Sequence, residues 1–308
     1  MLNNIVIVTS QVAVLFILIA VGFVCGKINL IKDSSAKILT DIVLYLATPC
    51  VMVQAFQRVS FSPELIVNLG IAVLCAVLIQ VLSIFAARAV FRNKDESRRK
   101  VMQFGTIFSN CGFMSLPLQQ AILGDNGVFY GSVFVAVFNI LVWSYGLVDM
   151  SGDKGNLTFK RIILNPGVVG AFFAALFFFL RIQLPEIVMS PISYLSSLNT
   201  PVPMLVIGVH LSQVKFSKAL RDAGIYAVTG MRLLAIPLVS LLCMRLCGVG
   251  GDILISCTIA ACAPVAATTT MFATKFDRDV DLSVGLVSIT TLFSILTMPI
   301  IIALSQTI

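Results

Sequence analysis

Leu46-Ala47-Thr48-Pro49-Cys50-Val51-Met52-Val53 returns later in the chain as Leu198-Asn199-Thr200-Pro201-Val202-Pro203-Met204-Leu205. Leu, Thr, Pro and Met match in register, 152 residues apart in a chain of 308. Both copies sit inside long apolar segments. A proline deep in a membrane helix frees a backbone carbonyl that another group must satisfy. Two such helices at corresponding places in two halves imply a membrane protein built from repeats, as in repeat-built transporters.

Composition fixes the class. Hydrophobic residues make up 58% and charged residues 11%, and the mean hydropathy is +1.02. No soluble domain of this size has that balance, and apolar runs of about 18 or more residues read as membrane helices. Ten are predicted, at roughly 5–25, 37–56, 65–88, 102–123, 127–148, 165–181, 188–212, 223–246, 252–274 and 280–304. The first has no basic stretch before it and is as long as the others, so it reads as a span and not as a cleaved leader.

The net charge of +7 is a topology signal and not a nucleic-acid footprint, because Lys and Arg accumulate in cytoplasmic loops. Seventeen of them, among them Lys27, Arg88, Arg98, Lys100, Lys215 and Arg278, follow helices 1, 3, 5, 7 and 9. Only Arg58, Arg181 and Arg245 follow helices 2, 4, 6 and 8. This split predicts a multi-pass protein of the cell membrane with both termini outside the cytoplasm. Five helices is an odd number, so the second half starts on the side opposite the first. The expected fold is an all-α integral membrane protein of ten transmembrane helices in two inverted five-helix repeats: residues 1–148, a cytoplasmic linker 149–164, and residues 165–308.

Helix 4 carries Ser109-Asn110-Cys111-Gly112-Phe113-Met114-Ser115-Leu116-Pro117-Leu118-Gln119-Gln120, a dense polar and helix-breaking stretch in mid-membrane. Helix 9 carries Ala263-Pro264-Val265-Ala266-Ala267-Thr268-Thr269-Thr270, again a proline followed by small and hydroxyl residues. A broken helix presents free N–H groups and a positive dipole end, which suit an anionic group without a buried Lys or Arg. The candidate substrate-binding residues are Asn110, Cys111, Gly112, Ser115 and Pro117 on helix 4, and Pro264, Val265, Ala266 and Thr268 on helix 9. Thr48, Asn139 and Arg232 are candidates elsewhere. Arg232, about ten residues into helix 8, either neutralises an anionic substrate or bonds helix-end carbonyls. Asn139, with Trp143 and Ser144, either lines a cavity or packs against helix 10.

At these residues the chain resembles the auxin efflux carrier family, which includes plant auxin exporters and bacterial malonate and malate carriers. The matching pattern runs from Asn110 to Pro117-Leu118 and Gly124. It continues through Thr200-Pro201 to Gly208, Arg232 to Pro237, Ala263-Pro264, Phe272-Ala273 and the segment from Thr291 to Pro299. The short loop between helices 5 and 6 is closer to the bacterial members. The resemblance implies that helices 4 and 9 are broken and cross near the midplane. It also implies a scaffold of helices 1, 2, 6 and 7, a mobile transport unit of helices 3–5 and 8–10, and a homodimer through the scaffold. It places Asn110 on the substrate carboxylate. Two departures stand out: Ser115 where relatives often have glycine, and Thr269 where plant members have a second proline.

The eight cysteines lie mostly inside spans and read as packing residues, so no metal or cofactor is expected. His210, near the cytoplasmic end of helix 7, reads as a solvated interfacial residue, with a proton relay as the alternative. No Asp or Glu lies in the middle of a span. The coupling ion, if there is one, is H⁺ or Na⁺, the latter through carbonyl and hydroxyl oxygens. The expected function is secondary transport of a small organic anion by alternating access. The alternatives are a sodium-coupled carrier of the bile-acid transporter type, a membrane-embedded enzyme, and a channel or sensor. Paired carboxylates, HExxH and a nucleophile with histidine in register are all missing, which argues against an enzyme.

Overall fold

The structure is a computed structural model that describes residues 2–92, 95–153, 155, 163–214 and 220–307. Lys94, Lys154, Lys160, Arg161, Lys215 and Lys218 of the charge asymmetry lie outside the described residues, as do residues 154 and 156–162 of the predicted linker. The described residues are helical, with no named strand among them. The chain runs α1 (Leu2–Lys27), α2 (Asp33–Ile42), α3 (Thr48–Arg58), α4 (Pro63–Val90), α5 (Glu96–Ile107), α6 (Leu116–Leu141) and α7 (Leu147–Ser151). It continues with α8 (Pro166–Phe179), α9 (Glu186–Ser197), α10 (Pro201–Gln213), α11 (Ala223–Gly230), α12 (Ile236–Leu246), α13 (Gly251–Cys262), α14 (Thr268–Lys275) and α15 (Val280–Thr307).

Among the described residues, seven helical segments are long and apolar enough to cross a membrane: Val8–Lys27, Ser34–Arg58, Pro63–Val90, Cys111–Ser151, Glu186–Gln213, Ala223–Leu246 and Val280–Thr307. Pro166–Phe179 and Gly251–Cys262 are apolar but shorter. The difference from the ten predicted spans has local causes. Cys111–Ser151 runs as one segment of 41 residues, yet Gly124 inside it sits at φ 62°, ψ −144°. That backbone is open to glycine and strained for other residues. The turn falls between predicted helices 4 and 5. The predicted ninth span is cut by the non-helical stretch between α13 and α14.

Prolines shape the long helices. π-helical turns at Val43–Ala47, Cys111–Ser115 and Met231–Ala235 each end two residues ahead of a proline, at Pro49, Pro117 and Pro237. The wider turn relieves the clash of the ring with a preceding carbonyl without ending the helix. A fourth π turn at Val142–Gly146 has no such proline. The duplicated motif therefore takes two backbone forms. Thr48-Pro49 continues a helix, whereas Thr200-Pro201 starts α10 after a break from α9.

α1 lies along α10, with Gly22 and Gly208 at the point of closest approach. α3 packs on α8 and α9. The larger apolar core joins α3, α4, α5, α6, α8, α13 and α15. A second core gathers α1, α10, α13 and α15 around Met114 and Leu118. Apolar residues such as Ile17, Leu74, Phe85, Leu242 and Ile300 face outward, as helices that meet lipid require.

Candidate functional site

The backbone breaks twice in the middle of the molecule, and the breaks meet. α5 stops at Ile107; Phe108 is extended, at φ −101° and ψ 109°, and helix resumes at Cys111. α13 stops at Cys262, and helix resumes at Thr268. The second stop is written in the sequence: a residue before proline is pushed out of the α region, and Ala263 before Pro264 is extended at φ −63°, ψ 147°. Ser109 and Val265 pair as an antiparallel bridge. The Asn110 N–H donates to the Pro264 carbonyl at 2.7 Å, and the Ala266 N–H donates to the Phe108 carbonyl at 3.0 Å. Each break satisfies the other's backbone where no water is available, as irregular backbone within a membrane must be satisfied.

The helix ends at this contact leave orphan carbonyls, and side chains take most of them. Ser109 Oγ donates to the Ala260 carbonyl at 2.9 Å. Cys262 Sγ donates to the Ile259 carbonyl at 3.4 Å. The guanidinium of Arg232, on the π turn between α11 and α12, is 1% exposed. Its Nη1 donates to the carbonyls of Thr106 at 2.9 Å and Ile107 at 3.1 Å, and its Nη2 donates to the Ala261 carbonyl. Of the two roles the sequence left open for Arg232, the bonds formed are those to helix-end carbonyls.

The helix starts are different. Asn110 is the residue before the restarted helix and is 6% exposed. Its side chain makes no capping hydrogen bond, although asparagine is among the best capping residues. The N–H groups of the first helical residues, Cys111 and Gly112, have no intrahelical partner by position. A Cβ at Gly112 would meet nothing within 4 Å, so there is open space beside it. The hydroxyl of Ser115, which is fully buried, has no hydrogen-bond partner among the described residues. α14 likewise begins after Ala267, which has no side-chain cap, and the hydroxyls of Thr268 and Thr269 have no hydrogen-bond partner among the described residues.

Some expected donors are already committed. The Val265 N–H donates to Thr290 Oγ1 of α15 at 3.1 Å, and that of Ala266 is held by Phe108. Pro117 does not mark the break; it sits in continuous helix behind the π turn, seven residues past Asn110. Thr48 and Asn139 are engaged in bonds away from the contact between the two breaks. Thr48 Oγ1 donates to Asn199 Oδ1 at 3.1 Å. The Asn139 amide donates to the Val135 carbonyl at 2.8 Å and packs against Gly167 at the start of α8. Trp143 packs edge-on against Phe272 of α14. His210 is exposed in the last turn of α10. Ser109, Cys262 and Thr290 are site-forming residues that sequence reasoning missed. Ser109 could have been flagged as the polar neighbour of Asn110; the other two have no local signal.

Two cavities lie toward opposite ends of the molecule. One, of about 390 Å³, is lined by Glu64, Asn68, Asn126, Tyr130 and Asp252. The other, of about 570 Å³, is lined by Arg98, Gln213, Asp222, Arg278, Asp279 and Asp281. Arg98 holds the second together. It pairs with Asp222, which accepts from the Gly224 N–H at the start of α11, and with Asp279 at 3.7 Å, which accepts from the Leu282 N–H in the first turn of α15. The Arg98 guanidinium, by direct hydrogen bond, holds the Asp222 carboxyl below the usual carboxylate range. Arg278 donates to the carbonyls of Met150 at 2.9 Å and Ser151 at 3.1 Å, at the end of α7.

A family described as membrane transport protein matches residues 7–302. An uncharacterized transporter of Methanocaldococcus jannaschii is 23% identical over 299 residues, which cover 92% of this chain and 94% of the relative. An uncharacterized transporter of Methanothermobacter thermautotrophicus is also 23% identical, over 295 residues, covering 94% of this chain and 96% of the relative. The match spans both breaks and the arginine that joins them, and the chain belongs to the membrane transport protein family, the group of the auxin efflux carriers.

Proposed function

We propose that this membrane transporter is a secondary carrier of a small organic anion, a mono- or dicarboxylate, working by alternating access. One observation carries the reading: two half-helix starts, at Cys111 and Thr268, flank one buried antiparallel contact and have no side-chain caps. Half-helix N-termini near a midplane crossing suit a carboxylate, because their N–H groups and dipoles point at it. Asn110 supplies the amide donor, and Cys111, Gly112 and Thr268 supply backbone N–H groups. The Ser115, Thr268 and Thr269 hydroxyls are further donors.

In this reading residues 1–148 and 165–308 are two inverted repeats of five spans each, joined by the linker 149–164. The first, second, sixth and seventh spans are the scaffold and dimer surface, and the remainder moves. The cavity at Glu64 and Asp252 then faces outside, and that at Arg98 and Asp222 faces the cytoplasm of a cell-membrane protein with external termini. Thermal-shift screening of the purified protein against organic acids tests the substrate class, since a ligand raises apparent stability by mass action. Mono- and dicarboxylates are expected to raise the melting temperature, with amines and sugars inert. A flat response to every carboxylate, together with no saturable uptake in proteoliposomes, overturns the proposal.

A further inference from the structure

Arg232 is a buried cation whose bonded partners, among the described residues, are three carbonyls and no carboxylate. Those carbonyls, of Thr106, Ile107 and Ala261, belong to the last turns of α5 and α13. Each helix end carries roughly half a negative charge, so two of them converge on one guanidinium. Elsewhere, unwound carbonyls and half-helix C-termini of this kind coordinate a free Na⁺ or H⁺, and hard cations need only oxygen ligands. Here the cation is covalently attached to a third helix, through a π turn that Pro237 follows.

We propose that Arg232 is a tethered counter-ion for the crossing, filling the carbonyl cluster that a free monovalent cation would otherwise occupy. It is a positioning residue: it holds the ends of α5 and α13 together, and so sets where Asn110 and the half-helix starts face. Two consequences follow. The native crossing needs no Na⁺, and truncating the side chain opens a cation site that the native protein lacks. The inference concerns the crossing itself and stands whatever the substrate is.

The test is melting of the purified protein in matched sodium, choline and guanidinium chlorides, with the guanidinium ion at millimolar concentration. Wild type is expected to melt at the same temperature in sodium and in choline. Arg232→Ala, which vacates the space, is expected to melt lower in choline. Guanidinium should restore at least half of that loss, and sodium a smaller part. Arg232→Met fills the space without a charge, and should melt low with no response to either cation. Arg232→Lys should fall between wild type and Arg232→Met. The proposal is overturned if Arg232→Met melts like wild type, if guanidinium restores Arg232→Ala no better than Arg232→Met, or if Arg232→Lys is no better than Arg232→Met. Should Arg232→Ala not fold, the wild-type comparison still decides: stabilisation by sodium over choline overturns the tethered-ion assignment.

Discussion

The hydroxyl of Thr48 donates to the side-chain oxygen of Asn199 at 3.1 Å, with both residues buried. The two copies of the duplicated motif therefore touch. Gln54 extends the contact, donating to Ser193 Oγ at 2.6 Å and accepting from Ser196 Oγ. The contact ties α3 to α9 and the turn that follows it, at the point where the second copy breaks its helix.

Asn110 is the side-chain donor of the proposed anion site. Hydrogen bonds to a charged group are worth about 1.5–3 kcal/mol. Asn110→Ala should therefore weaken anion binding roughly 10- to 100-fold, at about 1.4 kcal/mol per tenfold. Asn110→Asp should be worse, because it adds like-charge repulsion. Isothermal titration with the best acid from the screen measures both. Wild-type affinity in the two variants, with expression intact, removes the site.

Thr290 ties α15 to the break between α13 and α14 by accepting from the Val265 N–H. Thr290→Val keeps the shape and leaves that N–H buried without a partner, which costs about 1–3 kcal/mol. A lower melting temperature than wild type is the expected result. An unchanged one shows that the bond does not hold the break.

The Arg98–Asp222 pair gives a pH test with a definite sign. Asp222 has a lowered folded-state pKa, caused first by the Arg98 hydrogen bond. Its contribution is thus present above the unfolded value of about 3.9 and lost as pH falls through the folded value. Wild type should lose melting temperature on acidification below about pH 4, with a smaller loss in Asp222→Asn. Parallel acid profiles for the two proteins refute the coupling.

The α1–α10 contact predicts opposite outcomes for two glycines. A Cβ at Gly208 would press into the backbone of α1 near Ile19 and Phe23, so Gly208→Ala should destabilise by about 1–3 kcal/mol. A Cβ at Gly70, within α4, meets nothing within 4 Å. Gly70→Ala should leave melting unchanged or raise it, since glycine is a poor helix former. Equal behaviour of the two variants in a melting assay contradicts the close approach.

Orientation can be read with a native thiol. Cys247 is exposed, just past α12. On intact cells a membrane-impermeant maleimide should label Cys247. It should not label an Asn93→Cys probe, placed outside the described residues, in a variant without the native exposed cysteines. The reverse pattern overturns the topology drawn from the loop charges.

Membrane class, the two polar breaks and the alternation of loop charge were legible in the sequence. They rest on local chemistry: apolar runs need lipid, proline removes an N–H, and Lys and Arg stay in the cytoplasmic loops. The stop at Ala263-Pro264 was legible for the same reason. The stop at Ile107 was only half legible, because Pro117 draws the eye seven residues downstream of the actual break. A π turn absorbs that proline, and nothing in sequence spacing separates an absorbed proline from a breaking one. Only the tertiary structure decided that Arg232 sits on the carbonyls of Thr106, Ile107 and Ala261, or that Ser109 faces Val265. Which partner satisfies a buried polar group depends on helices that meet far apart in sequence. Composition demands that such a group be satisfied, and packing alone selects what satisfies it.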